Sequence, residues 1–285
     1  MMMADGTSTW MLAGAALLGL VVGSFLNVVI HRLPRMLERR WAQEDALQAG
    51  QPVPEEAPYH LAFPPSACPQ CGHRLAPWEN IPALSWLLLR GRCSACKAPI
   101  PLHYPLVEIA TNVLFAYAAW RWGFTLAGAA WAAFGATLLA LAVIDWHTTL
   151  LPDDLTLPLA WSGLIASTLG WTGVALADAL WGAVAGYLSL WTVYQVFKRL
   201  TGREGMGFGD FKLFAALGAW LGWPALIPVI LLACITGAGV GIFMKFTGGL
   251  REGGYVPFGP FLALGGLAAM AGLTPSFWRA LGLAL

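Results

Sequence analysis

The order of apolar and polar positions divides the chain into long hydrophobic runs separated by short polar ones. A helix needs about 20 apolar residues to cross hydrocarbon, at about 1.5 Å of rise per residue. Such runs fall near 10–30, 105–120, 125–145, 155–171, 175–197, 211–223, 225–245 and 257–274, with 211–223 the shortest. The pattern therefore predicts an all-α polytopic membrane protein with eight transmembrane helices. No basic n-region precedes the first run, and "VVGSFLNVVIHRLP" lacks a small-residue cleavage pattern, so this run reads as a retained span rather than a signal peptide. One polar interval is long, and it sets the expected domains: a first transmembrane helix over 1–30, a soluble loop over 31–104 and a helical bundle over 105–285. Within the loop, residues 36–58 are charged and then Pro-rich, which predicts a short surface helix followed by a linker.

Composition strengthens this picture. Of 285 residues, 58% are hydrophobic and 11% charged, with mean hydropathy +0.65, whereas a soluble domain carries about 25% charged residues. A net charge of +1 leaves no dense basic face for a nucleic-acid partner; the expected surroundings are lipid. Eight of the sixteen basic residues (Arg32, Arg35, Arg39, Arg40, Arg74, Arg90, Arg92 and Lys97) lie in the 31–104 loop. By the positive-inside rule that loop is cytoplasmic. Counting spans from it puts cytoplasmic turns at 146–154, 198–210 and 246–256, and Lys198, Arg199, Arg203, Lys245 and Arg251 fall in or beside the last two. Both termini would then be periplasmic.

The loop contains "CPQC" and "CSAC", with twenty-one residues between the pairs. Two such knuckles bring the thiolates of Cys68, Cys71, Cys93 and Cys96 to one point, the soft tetrahedral set that zinc takes in closed structural sites. Gly72 and Gly91 permit tight turns beside them. The competing readings are two disulfides or a redox pair; a cytoplasmic address disfavours the first, and no thioredoxin-like pattern surrounds either pair. Four sulfurs leave no open position, so the metal is expected to be structural and to contribute to folding. Cys234, in an apolar run, reads as a packing residue.

Two acids sit where hydrocarbon begins. Asp145 ends "ATLLALAVID" and Asp210 opens "FKLFAALGAWLG" after "GMGFG"; a carboxylate at mid-bilayer depth costs about 2.5 kcal/mol or more. The span count places both at the cytoplasmic ends of their helices. Two carboxylates at one depth suggest aspartic-protease chemistry: one, ionised, takes a proton from water, while the other, neutral, donates a hydrogen bond to the scissile carbonyl. A structural alternative exists for Asp210, which is a good N-cap residue; Asp145 has none, because an acid at a helix C-terminus is unfavourable. Gly205, Gly207 and Gly209 allow extended or positive-φ backbone and hence close approach of a peptide, or serve only as a linker. Asp153 and Asp154 could attract a basic peptide or cap the next helix. Lys212 could tune a carboxylate or reach toward headgroups. Asn27 and Glu108 could line a site or bond a neighbouring helix.

Five motifs together carry a resemblance: "GSFLNVVIHRLP", the paired cysteines around "PWENIPALSWLLLRGRCSAC" with "YPLVE", "IDWHTTLLPDDLTLPLAWSGL", "GMGFGDFKL" and "PFGPFLALGG". In this order they resemble the type IV prepilin peptidases, the bifunctional leader peptidases and N-methyltransferases of type IV pilus and type II secretion systems. The resemblance implies a multi-pass protein of the bacterial inner membrane. It implies Asp145 and Asp210 as the catalytic pair and the four cysteines as zinc ligands. The substrates it implies are prepilins or pseudopilins, whose basic leader is removed after a Gly at the cytoplasmic face. It implies S-adenosylmethionine as methyl donor, although no G-x-G-x-x-G nucleotide motif is present. Two other readings stay open: an enzyme that only methylates, with the zinc loop as its cofactor platform, and a non-enzymatic scaffold whose aspartates cap helices.

Overall fold

The computed structural model describes residues 8–52, 57–249 and 256–282. Arg251 and residues 53–56 of the expected linker lie outside the described residues. The chain forms two compact units, Met1–Ala136 and Thr137–Leu285. Among the described residues the regular structure is helical, and the only β pairing is three isolated bridges in the loop.

In the first unit, α1 (Thr9–Gln48) packs antiparallel to α3 (His103–Trp122). Small residues set the distance between them: a Cβ on Gly19 would fall 2.8 Å from Asn112 Cα, and one on Gly23 would fall 2.7 Å from Glu108 Cα. Asn112 donates to Ala16 O and Asn27 to Tyr104 O, so both polar groups bond across this seam. The charged stretch after the first span does not form a separate surface helix. It continues α1 through Pro34 to Gln48: no glycine separates the apolar run from the helix-favouring "MLERRWAQEDALQ", and the single proline does not end the helix. Buried Arg32 ties this helix to the loop, donating to the carbonyls of His60, Leu61 and Pro64. The loop itself carries a 3₁₀ turn (Pro77–Asn80), the short α2 (Leu84–Leu88) and two cysteine knuckles, each closed by a bridge, Ala67 with Arg74 and Arg92 with Pro99.

The helix α4 (Leu126–Thr148) enters the second unit, which continues with α5 (Asp153–Thr168), α6 (Leu176–Thr201), α7 (Phe208–Leu221), α8 (Trp223–Thr247), α9 (Gly259–Met270) and α10 (Leu273–Ala280). Helix α7 is the core element, with nine of its fourteen residues buried. It lies against α6 across glycines, where a Cβ on Gly218 would fall 2.1 Å from Gly182 O and one on Gly186 would fall 2.6 Å from Phe214 O. Against α5 it runs parallel: Lys212 meets Asp153, and Trp220 donates to Leu159 O.

A helix occupies each of the eight predicted segments, but four of them, α1, α4, α6 and α8, are long and apolar enough to cross a membrane. A fifth appears if α9 and α10, bent by 81°, count as one span. The bend falls at Gly272, φ 104, inside the run read from sequence as continuous. At about 1.5 Å per residue, the 16 residues of α5 and 14 of α7 rise only about 24 and 21 Å. Helix α3 has the length but carries Glu108, Asn112 and Arg121.

Candidate active site

Asp145 lies in the last turn of α4 and Asp210 in the first turn of α7, 65 positions apart in the chain. Each is 4% exposed. Asp145 Oδ2 accepts the Gly259 N–H at 2.9 Å, at the first residue of α9. This is the favourable end of a helix for a carboxylate, in contrast to the C-terminus of α4 on which Asp145 itself sits. Asp210 is not the N-cap; that position belongs to Gly207, and the Asp210 carboxylate reaches back to the Gly207 N–H from three residues on. Its Oδ1 is buried with no hydrogen-bond partner, so one oxygen of this carboxylate lacks the polar contact that burial calls for.

Leu151, in the connection between α4 and α5, touches both helix starts. An added Cβ at Gly209 would stand 2.6 Å from Leu151 Cβ, and one at Gly259 would stand 3.1 Å from Leu151 Cδ2 and 2.7 Å from Asp145 Oδ2. Gly209, and Gly205 against the Phe197 ring, therefore serve by lacking bulk. None of Gly205, Gly207 and Gly209 is in the positive-φ region, and Gly207 itself has ordinary extended angles (φ −79, ψ 150). Sequence reasoning missed Gly259 and Leu151; the signal available was a glycine between two prolines in "PFGP".

The remaining predicted residues have definite partners. Lys212 grips both oxygens of Asp153 at 2.7 Å, a partner that neither sequence reading named. Asp153 and Asp154 open α5 in the positions where acids favour a helix N-terminus. In the first unit Glu108 accepts the Ala83 N–H at 2.6 Å.

The four cysteines of the first unit converge, their sulfurs all within 4.8 Å of one another, with Cys68 to Cys96 at 3.8 Å and Cys71 to Cys93 at 4.0 Å. Zinc–sulfur bonds of about 2.3 Å in a tetrahedron place sulfurs about 3.8 Å apart, so the set fits zinc. Both knuckles aim backbone amides at their first sulfur. The N–H groups of Cys71 and Gln70 hold the Cys68 thiol down to about 7, and those of Cys96 and Ala95 lower Cys93. Although the His73 amide pulls Cys71 down, burial and the neighbouring sulfurs push it up to about 11; four clustered thiolates need a cation. The residue after each pair is left-handed, Gly72 at φ 71 and Lys97 at φ 61. His73 joins the knuckles through Ser94 and Glu79, and the Glu79 carboxyl is held down to about 2 by Ser94, the Ala76 N–H and His73.

The family model described as the bacterial peptidase A24 N-terminal domain matches residues 17–122, and that of the type IV leader peptidase family matches residues 132–242. A protein of Pseudomonas aeruginosa named prepilin leader peptidase/N-methyltransferase is 53% identical over 89% of this chain and 88% of its own length. Proteins of the same name from Burkholderia pseudomallei (strain 1026b) and Aeromonas hydrophila are 52% and 51% identical, over 95% and 89% of this chain and 88% of each relative. No solved structure matches. With more than half of the aligned residues identical over 88% of the length of such relatives, the chain belongs to the type IV leader peptidase family.

Proposed function

We propose that this protein is an intramembrane aspartic endopeptidase that removes the basic leader from type IV prepilins or pseudopilins after a Gly, and that it then N-methylates the new terminus. The observation that supports the hydrolytic half is the burial of both acids at the two helix starts that Leu151 touches, with Asp145 held by the Gly259 amide and Asp210 keeping an unpartnered oxygen. In the reaction one carboxylate, ionised, takes a proton from water as the oxygen attacks the scissile carbonyl carbon. The other, neutral, gives its proton to the carbonyl oxygen; the first carboxyl then passes the proton taken from water to the departing amine, and the collapsing diol returns a proton to the second. No covalent intermediate is needed.

Zinc, where bound by Cys68, Cys71, Cys93 and Cys96, would be structural, since four sulfurs complete its coordination. The methyl-transfer half, with S-adenosylmethionine as donor, rests on the relatives' shared name, and no residue of this chain is assigned to that donor.

In this reading all eight helical segments cross the bacterial inner membrane, with short α7 shielded within the protein and α5 facing lipid through Leu157, Trp161 and Ile165. The basic residues of 31–104 and 198–203 favour a cytoplasmic zinc loop and cytoplasmic aspartates. The organisation into a first span (1–30), a zinc loop (31–104) and a catalytic bundle (105–285) belongs to the same proposal.

The test is cleavage of a prepilin by membranes holding the protein. Asp145→Asn and Asp210→Asn should each abolish the shortened product while the protein still inserts at normal level. Normal cleavage by either variant would sink the reading. An enzyme that only methylates would survive both changes yet need the cysteines.

A further inference from the structure

The loop between α1 and α3 reads as wholly aqueous in sequence, yet one stretch of it turns its apolar side chains outward. In α2, Leu84, Leu87 and Leu88 share one face, and Leu87 and Leu88 are 67% and 70% exposed. Ile81 and Trp78 just before them are also exposed. Leu84 and Leu87 line one apolar groove with Leu20 of α1 and with Leu106 and Ile109 of α3. Leu106, Ile109 and Val113 continue the same exposed apolar surface along α3.

The level of this contact along α1 is fixed by two observations. Ala83 N–H donates to Glu108 Oε2 at 2.6 Å, and Glu108 Cα is 2.7 Å from where a Cβ on Gly23 would lie. Gly23 precedes Arg32, the first formal charge after the apolar run, by nine residues, or about 13 Å along the helix. The start of α2 therefore sits well inside the apolar length of a helix able to cross a membrane.

Backbone can enter hydrocarbon only with its polar groups satisfied, and most N–H groups of this stretch are. The N–H groups of Ala83, Leu84, Ser85, Leu87, Leu89, Arg90 and Gly91 all have acceptors: Glu108 for the first and local carbonyls for the rest. Ala83 holds φ 56, a conformation costly for a residue with a Cβ, and it is this turn that points its N–H at Glu108. Trp86 donates to Ile100 O, and its ring covers Gly91, closing the stretch on its inner side. Arg90 and Arg92 follow immediately, at the point where a segment returning to headgroups would want cations.

We propose that residues 81–88 form a re-entrant segment whose leucines are covered by lipid acyl chains beside α1 and α3. In this arrangement Glu108, a carboxylate inside an apolar helix, is the internal anchor of the segment, and the zinc knuckles on either side brace its two ends. The proposal does not depend on the hydrolytic reading, since it uses no group of the aspartate pair.

The test uses the unmodified, zinc-loaded protein in phosphatidylethanolamine/phosphatidylglycerol vesicles containing a lipid with a photoactivatable diazirine in its acyl chain. After illumination, adducts are mapped by mass spectrometry. Adducts at 84–88 should match in yield those on the exposed face of α3 at Leu106, Ile109 and Val113, while the knuckle residues Gln70 and Gly72 stay unlabelled. Labelling of 84–88 no higher than at Gln70 would overturn the proposal. Adding a prepilin should leave the adducts at 84–88 in place; their complete loss would overturn lipid as the cover of this segment in the working enzyme and give the groove to the substrate's apolar helix.

Discussion

A single methyl group separates Gly259 from alanine, and the position that it would take is already occupied. The Cβ would meet Asp145 Oδ2 at 2.7 Å, while Gly259 itself is helical and not in the positive-φ region. Alanine is better than glycine in a helix by about 1 kcal/mol, so Gly259→Ala should leave the amount of inserted protein unchanged and act on the carboxylate. We expect kcat for prepilin cleavage to fall about tenfold or more, equivalent to about 1.4 kcal/mol of lost transition-state stabilisation, with KM little changed. Gly14→Ala, where an added Cβ meets nothing within 4 Å, should cleave normally. An unaffected kcat in Gly259→Ala would show that the amide contact does not position Asp145. The same logic in reverse applies at Lys97, which pays for a left-handed backbone that Gly72 adopts freely in the matching knuckle. Lys97→Gly should stabilise the metal-bound loop by about 0.5–1 kcal/mol, read as a higher chelator concentration for half-loss of zinc; a lower one would refute it.

Paired helices in this protein meet through glycines four apart, Gly19 with Gly23 on α1 and Gly182 with Gly186 on α6. Residues at that spacing share one helix face, and without a hydrophobic force between helices in lipid, close backbone approach supplies the packing. At the α6–α7 seam the obstructing atoms are backbone carbonyls of Gly182 and Gly218, which cannot move aside as a side chain can. Gly182→Val and Gly218→Val should therefore each destabilise the detergent-solubilised protein by about 1–3 kcal/mol or more, seen as a lower thermal unfolding midpoint. Gly239→Val, on an open face of α8, should leave the midpoint in place. Equal midpoints in all three would mean that the seam is not what holds α7. The Asp153–Lys212 pair is a smaller element-level contact. Its side chains are 53% and 29% exposed, and exposed pairs contribute about 0–1 kcal/mol, so its removal should hardly register beside the glycine changes.

For the molecule as a whole, metal content is the most direct check: the purified protein should hold about one zinc per chain, lost in Cys68→Ser or Cys96→Ser, and a metal-free preparation with full activity would refute a structural zinc. The sequence alone determined that the protein is helical and apolar, where its helical segments lie, that four cysteines form one cluster, and that two acids stand at helix ends. These are one-dimensional facts, set by periodicity, composition and spacing. Other features appeared only with the tertiary structure. No local signal in the chain joins Asp145 to Gly259, 114 residues away, wedges Leu151 between two glycines, or turns α2 toward Glu108. Run length marked 211–223 as short but could not reveal that α7 is buried in the core or that α9 and α10 are bent apart. Each of these depends on which backbones approach within a few ångströms, and such an approach is decided by the space that distant glycines leave open.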